Sequence, residues 1–125
     1  MILRHLTTKD KYKEILKAGC LIGSNNMRKD HKGYVSFELF NQSFEEMEFK
    51  KVFAVAKNTS VENVVQLLFD GNQMQADGIE ILENFKNGIK HSKVELTLYP
   101  IDFDINQIGE YRFVYGNVSL EYLIT

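Results

Sequence analysis

The sequence predicts an α+β fold whose strands pair in mixed or antiparallel fashion. Three observations predict it. Apolar residues alternate with period two in short runs, most cleanly through Val35-Ser36-Phe37-Glu38-Leu39 and through Tyr111-Arg112-Phe113-Val114-Tyr115. Strand patterns outnumber long helical ones and do not alternate regularly with them, which argues against a doubly wound sheet. Turn residues such as Gly19, Pro100 and the Gly116-Asn117 dipeptide punctuate the runs.

Taken in order, residues 1–5 read as a first strand. Thr7 stands three residues before Asp10, a capping-box spacing, and predicts a helix from there to Ala18. Tyr12, Ile15 and Leu16 share one face of it, and Gly19 is a natural left-handed stop. Cys20-Leu21-Ile22 returns to the core, and the polar, basic stretch 23–33 reads as a loop. Residues 34–40 form a strand. Segment 41–50 is acidic, with room for a helical turn, and 52–56 reads as a short buried strand. Two helices are then expected. The first is capped by Thr59 and Glu62, striped by Val61, Val64, Val65 and Leu68, and ended by Gly71. The second is capped by Asp77 and Glu80 and striped by Ile79, Leu82, Phe85 and Ile89. Val94, Leu96 and Leu98 alternate as a strand up to Pro100, and 110–115 alternates as another. Residues 118–124 close the sheet or pack as a last turn.

Composition limits function. The chain has 125 residues, is 44% hydrophobic and carries nine Phe and six Tyr, so a single domain over 1–125 with an aromatic core is expected. A net charge of -2 gives no global field for nucleic acid, although a local basic patch such as Arg28-Lys29-Asp30-His31-Lys32 remains compatible with phosphate contact. One cysteine, Cys20, forms no internal disulfide and points to a reducing, cytoplasmic setting. No apolar run approaches the ~20 residues of a membrane span. His5, His31 and His91 share no metal-ligand spacing, so no metal is expected. Glycine motifs of the Walker or dinucleotide type are absent.

Two polar groups stand out. Arg4-His5-Leu6-Thr7 displays a histidine and a hydroxyl at a strand-to-helix mouth. Gly109-Glu110-Tyr111-Arg112-Phe113-Val114 starts a late strand with a carboxylate. With Ile15-Leu16-Lys17-Ala18-Gly19-Cys20-Leu21, Gly33-Tyr34-Val35-Ser36-Phe37 and Val118-Ser119-Leu120-Glu121-Tyr122-Leu123-Ile124, the pattern resembles the ADP-ribosyltransferase fold in its His-Tyr-Glu branch. Its cadence is similar to DNA-directed members of the DarT kind and to small bacterial toxin-like relatives. The resemblance covers both ends and one middle strand; 40–99 matches nothing recognisable.

That resemblance implies a split, mixed or antiparallel sheet with about three helices. It also implies an NAD-dependent mono-ADP-ribosyltransferase acting on a protein or nucleic-acid acceptor, toxin- or effector-like, of the kind carried by mobile elements. Glu110 would stabilise positive charge developing on the ribose as nicotinamide leaves, and would orient or deprotonate the acceptor. His5 would hydrogen-bond ribose or carboxamide, with Thr7 assisting. Tyr34 would stack on nicotinamide, with Ser36, Phe37 and Phe40 competing for that motif position. Arg4 or Arg112 would contact pyrophosphate. Ile108 stands where arginine-modifying relatives carry Glu or Gln, which disfavours an arginine acceptor.

Plainer readings stand beside these. His5 serves equally as a strand-end histidine bonded to backbone, Glu110 as a solvated carboxylate beside Arg112, Tyr34 as a half-buried aromatic, and the basic run as a solvated loop. On that view the chain is a non-catalytic binding or inhibitor protein of phage or plasmid type. A relative of RNA 2′-phosphotransferases is a third reading, disfavoured by the acidic balance.

Overall fold

The computed structural model describes residues 1–25, 33–40, 50, 51, 53–55, 57–83 and 111–124. Strand β1 runs Ile2–Thr8 and leads directly into helix α1, Lys9–Ala18. The strand is longer than expected, so the cap moves by one residue: Thr8, not Thr7, accepts from the Lys11 amide. Gly19 closes α1 at φ 74°, and its amide donates to the Ile15 carbonyl at 2.9 Å. Strand β2 (Cys20–Leu21) pairs with β6 (Val118–Ser119) in a small second sheet.

The main sheet orders its strands β4-β1-β3-β5, with β3 at Tyr34–Leu39, β4 at Val64–Asp70 and β5 at Tyr111–Tyr115. All its pairings are antiparallel. Strand β4 lies where a helix was expected: Val61–Asn63 makes one 3-10 turn and the chain then extends. Pairing decides this. Val64 through Asp70 match β1 residue for residue, from Thr8↔Val64 to Ile2↔Asp70, and Val64, Leu67 and Phe69 are buried. Gly71 therefore opens helix α2 (Gly71–Ala76), capped by the Asp70 carboxylate on the Gln73 amide at 3.0 Å. Asp77 ends that helix instead of starting one. Residues 53–55 are helical where a buried strand was expected, with Ala54 buried and Val55 exposed. The second expected helix is not seen over 79–83, where Leu82 instead bridges Phe113 of β5. The basic run 28–32, the acidic segment 41–49, the later part of that expected helix (Phe85, Ile89), the expected strand 94–99 and Glu110 lie outside the described residues.

One face of the sheet carries Leu3, Val35, Phe37, Leu67, Phe69 and Val114. It packs with Met74 of α2, Leu21 of β2 and Val118 of β6 into the main core. Phe37 and Phe69 meet edge to face at 5.4 Å. Helix α1 buries no residue fully; Tyr12 and Ile15 rest on the core's rim.

Candidate active site at the split between strands

Strands β1 and β3 are registered at Leu3↔Leu39 and Arg4↔Glu38. Beyond that rung each continues with its outer partner: β1 with β4 to Thr8↔Val64, and β3 with β5 to Tyr34↔Tyr115. The sheet divides there, as the expected split sheet requires. His5 is the first residue past the last rung. Its Nδ1 lies 3.0 Å from the Ser36 carbonyl, so the imidazole reaches β3 across the opening. The same ring meets Phe37 edge-on at 5.9 Å and is partly buried.

Chemistry follows from that placement. Burial lowers the His5 pKa below 6.5 and Lys57 lowers it further, against the opposing hydrogen bond to Ser36. The ring is therefore neutral near pH 7. A carbonyl can only accept, so Nδ1 carries the proton and Nε2 is left as an acceptor. Thr7 shares the side of β1 on which His5 lies, by strand alternation, and is buried opposite Val65.

Of the three aromatics competing for one motif position, Phe37 is 1% exposed and belongs to the core, and Phe40 lies under the Arg4 guanidinium at 5.6 Å. Tyr34 is half-buried and meets the exposed Tyr115 edge to face at 5.1 Å. It stands two residues beyond Ser36, at the outer end of β3. Here Gly33 is at φ 88°, its carbonyl accepts from Gly116 at 2.9 Å, and a Cβ on Gly23 would collide with the Gly33 and Gly116 carbonyl oxygens. The two ends of the basic stretch are thus pinned together.

Arg4 and Arg112 both meet carboxylates. The Arg4 side chain is 0% exposed, and its Nε and Nη2 both donate to one Glu38 oxygen, at 3.0 and 2.7 Å. A guanidinium taken this far out of water is costly unless it is paired, and the Glu38 carboxylate supplies such a pairing. Burial pushes the Glu38 carboxyl above the ordinary range, opposed by the charge and hydrogen bonds of Arg4. Arg112 is mostly covered and pairs with the exposed Glu83 at 3.4 Å. Glu38 is the residue that sequence reasoning missed. Its only signal was a carboxylate on the polar side of an alternating strand, and its cross-strand partner is set by register alone.

The structure thus brings His5, the Ser36 carbonyl and Phe37 together, and sets Tyr34 outward along the same strand. Among the described residues no cluster of three His, Cys, Asp or Glu could hold a metal ion. No helix among them is long and apolar enough to cross a membrane.

No family model and no curated protein matches the sequence. Solved structures do match in fold. DarT from Thermus sp. 2.9 in complex with carba-NAD+ is similar at a TM-score of 0.61 and 15% identity, over 98% of this chain and 79% of that one. The same protein with NAD+ gives 0.59 and 14%, over 98% and 78%. With ADP-ribosylated single-stranded DNA it gives 0.59 and 12%, again over 98% and 78%. The antiparallel order β4-β1-β3-β5, its division at His5 and this likeness together give the chain an α+β fold of the ADP-ribosyltransferase type.

Proposed function

We propose that this chain is an NAD-dependent mono-ADP-ribosyltransferase of the His-Tyr-Glu type, toxin- or effector-like, with a macromolecular acceptor. The observation that carries the reading is the opening between β1 and β3 with a neutral imidazole at its throat, in a fold whose solved neighbours were captured with NAD+ and with ADP-ribosylated DNA. In this reading NAD enters the split. Nε2 of His5 accepts a hydrogen bond from a ribose hydroxyl, with Thr7 on the same side of β1 and Ser36 adjoining through its carbonyl. Tyr34 offers a ring to nicotinamide, and Arg112 a cation to pyrophosphate. Glu110 precedes Tyr111, the first residue of β5, and supplies the carboxylate. The bond from the ribose anomeric carbon to nicotinamide breaks and its electron pair leaves with nicotinamide. The acceptor's nucleophile bonds that carbon, and Glu110 takes the proton. A nucleic-acid acceptor fits the DNA-bound neighbour and the basic run 28–32.

The test is nicotinamide release from NAD by the purified chain, with and without cell extract, alongside the melting temperature with NAD. Release together with a rise in Tm supports the reading. No release and no shift would favour a non-catalytic binding or inhibitor protein that keeps the fold.

A further inference from the structure

We infer that the buried Arg4–Glu38 pair is the positioning device of this site: it fixes the rung at which β1 and β3 part, and so sets the His5 imidazole against the Ser36 carbonyl. The inference uses the proposed function only for its activity readout. Arg4 and Glu38 face each other on the last registered rung between these strands, and Tyr111 of β5 faces Glu38 on the same line. That rung therefore holds the residue that immediately precedes His5 in β1. Alternation along β1 sends Arg4 and His5 to opposite sides of the sheet, so the pair acts on His5 through the backbone and not by contact.

Two observations and one general rule separate this from ordinary stabilisation. Two nitrogens of the guanidinium fork converge on a single carboxylate oxygen, at 3.0 and 2.7 Å, which ties the two strands together at this rung. The Arg4 side chain is wholly buried and has an aromatic ring beneath it, so its position has little freedom. A buried ion pair is also a poor means of adding stability, since apolar residues of similar volume commonly serve as well or better. What the apolar pair lacks is directionality. Without it the throat is free to widen, water reaches the imidazole, and the ring loses its fixed tautomer.

The experiment compares the wild-type chain with the double variant Arg4→Met/Glu38→Met, and with Arg4→Lys, which keeps the charge but loses the fork. Folding is checked by circular dichroism and thermal melting. His5 is then followed by nitrogen-detected histidine NMR across pH, its signals assigned with a His5→Gln control. In a folded double variant the His5 pKa should rise toward 6.5 and its neutral form should become a mixture of tautomers; Arg4→Lys should move the same way by less. If the wild type releases nicotinamide, kcat should fall about 10- to 100-fold with KM for NAD little changed, as for a misplaced reacting group. A folded double variant whose His5 keeps its wild-type titration and tautomer overturns the inference. Should the double variant not fold, an unchanged His5 in Arg4→Lys does so. An inactive wild type would count against the transferase reading alone, because the NMR readout needs no turnover.

Discussion

His5 loses water to the flanking strands, and its protonation is linked to folding. Its folded pKa is lowered, so below 6.5 the unfolded chain binds more protons than the native one. The stability that this group contributes is fully present above pH 6.5 and is lost as pH falls below it. Urea unfolding between pH 5 and 7.5 should show that acid-side slope, and His5→Gln should flatten it. Activity, if it uses the neutral ring as acceptor, should hold through pH 7 and fall only on the acid side. At Glu110 the expectation concerns chemistry, not stability. Glu110→Gln should lower the rate of nicotinamide release by about 100-fold or more, with NAD still raising the Tm. Unchanged turnover in that variant would remove Glu110 from the mechanism.

At the scale of elements, β4 shows how pairing overrides a pattern. Val61, Val64, Val65 and Leu68 have helical spacing, yet the β-branched residues among them favour extended backbone, and seven residues of β1 stand ready to pair. Leu67 and Phe69, which the helical stripe left out, are the ones buried deepest. Amide exchange should accordingly be slowest at the amides that pair β4 with β1 and faster in α1, which buries no side chain fully. The glycine contact at the mouth of the small sheet makes a second element-scale prediction. Gly23→Ala forces a methyl against two carbonyl oxygens and should cost about 1–3 kcal/mol, read as a lower urea midpoint at constant m. Gly19→Ala meets no atom within 4 Å and carries only the cost of its left-handed φ, about 1 kcal/mol.

Among the described residues, one apolar face joins the sheet, helices α1 and α2 and the small second sheet. Phe69 is its centre: it is 0% exposed, paired with Leu3 by register and with Phe37 by ring contact. Phe69→Ala should cost about 3–5 kcal/mol, a large part of the roughly 5–15 kcal/mol that holds a domain folded. The cost should appear equally in all probes of a single unfolding transition. The C-terminal turn is tied back to the same body, with the Tyr122 hydroxyl donating to Asp77 at 2.7 Å and the Ile124 amide to the Leu68 carbonyl at 2.7 Å.

Local chemistry was readable from the chain itself. Alternation marked β3 and β5, Gly19 marked the end of α1, Gly116-Asn117 marked the last turn, and the residues around His5 marked the kind of fold. Those signals survive because each depends on neighbours within a few positions. Tertiary structure decided what depends on distant partners: that 64–70 extends along β1, that Arg4 is buried against Glu38, and that the registered pairing of β1 with β3 ends just where the imidazole begins. Register between strands is set by the sum of many remote contacts, and no window of sequence contains that sum.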